Sequence, residues 1–219
     1  MNSSALSPRL LKGGIVLLDP SSGAVQRVIA LQYNPDTLSR TLQVQAHGND
    51  GGNRAGALRV KGPPTETITL EAEIDATDQL ECPDRHRDAA EFGIHPQLAA
   101  LETMVYPASA DLQSNSALAG AGTLEIVPME APLALFVWSK NRVVPVRLTE
   151  FTVTEEAFDP ALNPIRARVS LGLRVLSVDD VGFSHRGGSL FMSYLKNKEG
   201  LAQKSGAASL ATLGLQGLP

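Results

Sequence analysis

A mainly β fold with one inserted α-helix, a C-terminal helix and a tail is predicted by three features of the chain. First, in Ile165-Arg166-Ala167-Arg168-Val169-Ser170-Leu171-Gly172-Leu173-Arg174-Val175 the apolar residues fall on every second position, the period of a strand with one buried face. At about 3.4 Å per residue this run spans roughly 35 Å, longer than an ordinary strand. Second, Thr67 to Asp75 alternates cleanly, with Ile68, Leu70, Ala72 and Ile74 on one face and Thr67, Thr69, Glu71, Glu73 and Asp75 on the other. Third, Val144, Val146 and Leu148 share one parity and Phe151 and Val153 the other, which predicts a β-bulge near Thr149.

Taken in order, residues 1–12 form a polar leader, 13–178 the β domain and 179–219 the C-terminal helix and tail. Gly14 to Asp19 and Ala24 to Tyr33 read as a hairpin about the turn Pro20-Ser21-Ser22-Gly23. Asn34-Pro35-Asp36 forces a corner, and Leu38, Leu42, Val44 and Ala46 then share a strand parity. Residues 47–64 form a long Gly-rich loop, read equally as a contact arm that orders against a partner and as a mobile loop. Ala76 to Phe92 is polar and charged, and a helix follows it. Ile94, Leu98, Leu101 and Val105 recur at helical spacing behind Pro96, a good first-turn residue, so a helix is expected over 94–106. Ala108 to Gly122 reads as a loop, and Thr123 to Val127 as the start of another strand. Leu133 to Trp138 is apolar throughout, which suits a strand covered on both faces, and Ser139-Lys140-Asn141-Arg142 connects it to the next. Near the C-terminus Ser189 is placed to cap a helix carrying Leu190, Tyr194 and Leu195, which Gly200 weakens. The tail from Ser205 carries Leu210, Leu213, Leu215 and Leu218 among glycines and reads as partner-binding or fraying.

Composition narrows the function. Nineteen basic residues against 23 acidic give a net charge of -4, with no Lys/Arg run, so nucleic acid is not expected as a partner. Cys82 is the single cysteine, which rules out an intrachain disulfide. Neither a signal peptide nor a membrane span is expected from the apolar runs. There is no Gly-x-Ser-x-Gly elbow, and His47, His86, His95 and His185 fall in expected loops or at a helix start. Cys82 and His86 supply only two of the four ligands a zinc site needs. No glycine cluster fits a nucleotide loop, and the neighbours Glu155 and Glu156 point to opposite faces of a strand. No catalytic, cofactor or metal site is expected. The acidic face of Thr67 to Asp75 and the basic face of Arg166, Arg168 and Arg174 could pair between neighbouring strands or subunits, or stand solvated.

Several short motifs, in order and spacing, resemble a known family. They are Gln32-Tyr33-Asn34-Pro35, Thr65 to Asp75, the helix Leu98 to Tyr106 ending in Pro107, Pro132 to Trp138, and Ala157-Phe158-Asp159 followed by Asn163-Pro164-Ile165-Arg166-Ala167. Over roughly residues 10 to 177 the chain resembles the tube-initiator or baseplate-hub adaptor proteins of contractile injection systems, relatives of phage tails. The resemblance implies a tube-protein-like β-sandwich or barrel assembling as a homohexamer between the trimeric spike and the inner tube protein. Baseplate wedge or sheath components are further implied partners, in a particle assembled in the cytoplasm. On this reading Glu71, Glu73, Arg166, Arg168 and Arg174 are lumen or intersubunit positions. Asn49, Asp50, Asn53, Arg54, Arg59 and Lys61 become interlayer contacts, and Leu210, Leu213 and Leu215 a partner-binding tail. Many relatives carry a C-terminal peptidoglycan-binding module, whereas only residues 179–219 follow the β domain here. The alternatives are an inner tube subunit proper and, from another class, a small-ligand β-barrel.

Overall fold

A computed structural model describes residues 10–19, 22–46, 59–120, 132–206 and 208–218. Seven strands form one antiparallel sheet in the order β2-β1-β5-β6-β7-β4-β3. They are β1 (Gly14–Leu18), β2 (Val25–Ala30), β3 (Leu38–Gln43), β4 (Thr65–Asp75), β5 (Leu133–Ser139), β6 (Arg142–Phe158) and β7 (Pro164–Val175). The fold is mainly β, as the alternating segments predict. In β7, Ala167, Val169, Leu171, Leu173 and Val175 are all buried, as period two requires.

The 17-residue β6 organises the sheet. β5 pairs only with its first part, through Ala134↔Val146, and β7 only with the rest, from Val146↔Val175 to Phe158↔Pro164. β6 therefore passes from one half of the sheet to the other. The register shifts between Leu148 and Glu150, which is the bulge expected near Thr149, so Val146 and Leu148 before it and Phe151 and Val153 after it all face the core. Gly172 lies opposite: a Cβ there would meet the Glu150 Cβ at 2.8 Å, and its carbonyl accepts the Thr149 hydroxyl at 3.0 Å. The two halves contribute to one core, Ile15, Leu17 and Phe136 from one and Ile68, Leu70, Val169 and Leu171 from the other. A strand bent at a bulge so that its halves pack across a core is how a sheet turns a corner.

The connection from β2 to β3 requires such a bend. These are the two edge strands, yet only Leu31 to Thr37 joins them. Seven strands laid flat would set the edges roughly 29 Å apart at about 4.8 Å per strand, near the full reach of that short segment. The sheet curls instead, and Gln32 holds the seam: its side-chain amide donates to the Asp75 carbonyl at 2.6 Å and its oxygen accepts the Asp75 N–H at 3.0 Å. Asn34 accepts from the Gly13 N–H at 2.9 Å and donates to the Leu11 carbonyl at 2.8 Å. The short motif Gln32-Tyr33-Asn34-Pro35 is thus a structural clasp. Asp159 plays the same part in the β6–β7 turn, accepting from the N–H groups of Ala161 and Asn163 and from the Asn163 side chain, each at 2.8 Å.

Helices are more numerous than the one inserted helix that periodicity predicts. Between β4 and β5 lie α1 (Thr77–Leu80), α2 (Arg87–Phe92), α3 (His95–Glu102) and α4 (Ser109–Gly120). The polar run Ala76 to Phe92 is therefore mostly helical, and Ser109 to Gly120 is a helix where a loop was expected. Neither has an apolar stripe for period 3.6 to reveal: α2 buries only Ala89, and α4 buries nothing. The helix expected over 94–106 is α3, which buries Leu98 and Leu101 and starts with proline in its first turn, but it stops at Glu102 and leaves Val105 and Tyr106 exposed. After α5 (Val178–Val181), α6 runs over Arg186–Ala202. It is capped by His185, whose Nδ1 accepts from Gly187 N–H at 3.0 Å, and not by Ser189, which lies inside it. Gly200 is accommodated within it. Phe191 and Tyr194 of α6 belong to the core. The strand expected at Thr123 to Val127 lies outside the described residues. No described helix is long and apolar enough to cross a membrane.

Candidate functional site

Over β3, β4, β7 and β6 the side of the sheet turned away from the core is a polar surface built by strand parity, whereas behind β1 and β5 that side is apolar, with Leu18, Leu133 and Leu135 buried in a second cluster. Across β4, β7 and β6, the registered rows are Glu71–Ser170–Thr152, Glu73–Arg168–Thr154 and Asp75–Arg166–Glu156. At the edge, β3 adds Ser39 and Thr41, opposite Thr69 and Thr67. No helix is needed to cover such a face, because threonine, serine and paired charges leave little apolar area exposed.

Four of the five charged residues expected to oppose one another do so, within one chain. Arg168 lies 3.9 Å from Glu71 and 3.4 Å from Glu156, and Arg166 lies 3.8 Å from Glu73 and 2.7 Å from Asp75. Arg174 instead pairs with Asp180 at 2.6 Å, in the helix that follows β7. The Asp75 carboxylate is opposed by partial burial, but hydrogen bonds from Thr77 and the Arg166 guanidinium prevail and hold it below its usual value. Most of these pairs are half exposed, so each is worth no more than about 0.2–1 kcal/mol.

On the core side of β4 sits a carboxylate that the alternation reading passed over. Glu66 shares the parity of Ile68 and Leu70 and is only 3% exposed. Arg40 Nε of β3 donates to its Oε1 at 2.7 Å, Lys198 Nζ of α6 to its Oε2 at 3.0 Å, and the Tyr194 hydroxyl to Oε1 at 3.1 Å. Lys198 also lies 4.1 Å from the centre of the Tyr194 ring. Burial works against ionisation, yet the hydrogen bonds and charges of Lys198 and Arg40 outweigh it and lower the Glu66 pKa below 4.5. The cluster ties the edge strand, its neighbour and the C-terminal helix together. The parity of Glu66 was legible in Thr65 to Asp75; its partners, 26 and 132 residues away, were not.

The remaining expected contacts are exposed or undescribed. Arg59 and Lys61 are exposed on either side of Val60, which bridges Ala46, and the Lys61 N–H donates to the Gln45 carbonyl at 2.8 Å. Asn49, Asp50, Asn53 and Arg54 lie outside the described residues. Leu213 is exposed, and Leu210 and Leu215 remain two-fifths exposed, about a short 3-10 turn (Leu210–Leu213). An apolar cleft of about 410 Å³ lies between Ile15, Leu17, Leu148 and Leu173 and the segment around Met104 and His185. Pro132 is on its rim. Among the described residues no three metal-binding side chains gather.

No family model matches the chain, and no curated protein matches it. Among solved structures, a chain from the tail of an empty GTA particle, computed with helical refinement and C6 symmetry, is similar at TM-score 0.30 and 10% identity, over 75% of this chain and 90% of that one. Similarity of that size carries no argument about this chain's role.

Proposed function

We propose that this chain is a structural, non-enzymatic subunit of a phage-tail-like contractile particle, a hexameric adaptor ring that joins the hub to the inner tube. The observation that carries the reading is the polar face of β3, β4, β7 and β6, uncovered among the described residues, in a sheet whose edge strands, β2 and β3, have no hydrogen-bonded neighbour on their outer sides among those residues. Open edges are a liability in a solitary protein, and pairing or covering by a neighbour removes it. In such a ring the rows through Glu71, Glu73, Arg166 and Arg168 line a lumen with paired charge, and Arg59 and Lys61 face the adjoining layer. The motif resemblance supplies the partners: an inner tube protein, a trimeric spike, and wedge or sheath components. Native mass measurement of the purified chain tests this. A six-chain species that grows with concentration is expected; a chain that stays single up to its solubility limit overturns it.

A further inference from the structure

Each end of this chain carries an excess of one sign of charge, although Asp179 and Glu199 stand at the cationic end and Arg27 reaches Thr103 beside the acidic one. β4 spans eleven residues from Thr65 to Asp75, roughly 34 Å at about 3.4 Å per residue. At its Asp75 end, the Ala76 N–H donates to Ile165 and the Ile94 N–H to Pro164, both at 2.9 Å, which fixes α1 to α3 there. That helical unit carries Asp78, Glu81, Asp84, Asp88, Glu91 and Glu102 against only Arg85 and Arg87. At the Thr65 end, Lys198 reaches Glu66, and Asn197 donates to the Asn141 carbonyl at 3.1 Å, which brings the β5–β6 turn beside α6. Lys61 joins them, its N–H donating to the Gln45 carbonyl while the Gln45 side chain donates to Thr65. Lys61, Lys140, Arg142 and Lys196 stand at this end with Lys204 just past α6, outnumbering Asp179, which lies against Gly62, and Glu199 of α6, and none of the five cations has a carboxylate within 4 Å among the described residues. The six carboxylates of the helical end are likewise without an ion pair there.

We propose that the cationic end of one copy docks the acidic end of a second, so that copies meet head to tail. A net charge of -4 spread evenly would make copies repel in every orientation. Sorted charge attracts in one relative orientation and repels when like ends meet, which selects direction more than it adds affinity. The contact is heterologous, since the two patches differ, and need not close on itself. The inference goes beyond the ring reading and shares with it only the premise that copies meet.

Sedimentation of the full chain tests it. Association is expected to weaken about tenfold or more between roughly 0.1 M and 1 M salt, as the screening length falls from about 10 Å to about 3 Å. Two charge-reversed variants follow, one with Lys61→Glu, Lys140→Glu, Lys196→Glu and Lys204→Glu, the other with Glu81→Lys, Asp84→Lys, Asp88→Lys and Glu91→Lys. All eight side chains are exposed, so both variants keep the fold. Each alone loses association by a similar factor, and an equimolar mixture, in which opposite ends again face one another, recovers it. Association indifferent to salt, or a mixture that fails to recover, overturns the proposal. Closed six-chain rings that ignore salt and reversal would defeat the head-to-tail contact and leave the ring; salt-sensitive open chains without rings would do the reverse.

Discussion

Glu66 and Glu73 stand on the same strand and each meets arginine, but the step from one position to the other is odd, so they face opposite sides of the sheet. Glu73 is half exposed at 3.8 Å from Arg166, where water and salt reduce the interaction to little. Glu66 is sealed beneath α6 with two cations and a phenol, where a missing partner leaves a charge that water reaches poorly. The difference separates what holds the molecule together from what it offers to others. The core face of β4 fixes the fold, and the outer face is free to serve an interface.

The contrast can be broken most forcefully at the core face itself. Leu171→Ala removes a side chain 1% exposed between Phe151 and Leu70, and about 3–4 kcal/mol of stability should be lost in urea denaturation; Ser170→Ala, one residue along on the other face, should change it by less than about 0.5 kcal/mol. Equal losses would erase the distinction between faces. Glu66→Gln keeps the shape and removes the charge, leaving Arg40 and Lys198 unpaired. Because those cations are a quarter to a third exposed, the expected cost is about 2–3 kcal/mol, below the roughly 3–5 of a fully buried pair. The folded pKa of Glu66 is lowered, so its contribution is fully present above pH 4.5 and disappears as pH falls through the folded value. Acid titration of wild type should therefore fall more steeply below pH 4.5 than that of Glu66→Gln, and superimposable curves would refute the assignment.

Gln32→Ala tests the seam between the two halves. It strands the Asp75 N–H and carbonyl at a part-buried position, and a loss of about 1–2 kcal/mol is expected by thermal or urea unfolding. The smallest effect belongs to the outer face: Arg168→Ala should shift stability by no more than about 0.5 kcal/mol in the isolated chain. If that variant instead weakens the six-chain species, the outer face is an interface.

Alternation made the fold legible where one face is buried over many residues, as in β4 and β7, and the parity break at Thr149 announced the bulge. Helices α2 and α4 were not legible, since a helix reveals itself through a buried stripe and these bury one residue or none. The opposition of Glu71 and Glu73 to Arg166 and Arg168 was readable because parity alone sets it. The pairing of Arg174 with Asp180 was not, because it depends on how the chain turns after β7. Glu66 was readable in part, as a charged residue in step with an apolar row; only the folded chain brings Lys198 to it.

The pairing of β1 with β5 carries a consequence for synthesis. Ile15 waits for Phe136, and the edge it presents meanwhile is bare on the ribosome while most of the chain is still to come. Ordering so remote favours slow maturation and a need for shelter from aggregation until β5 emerges.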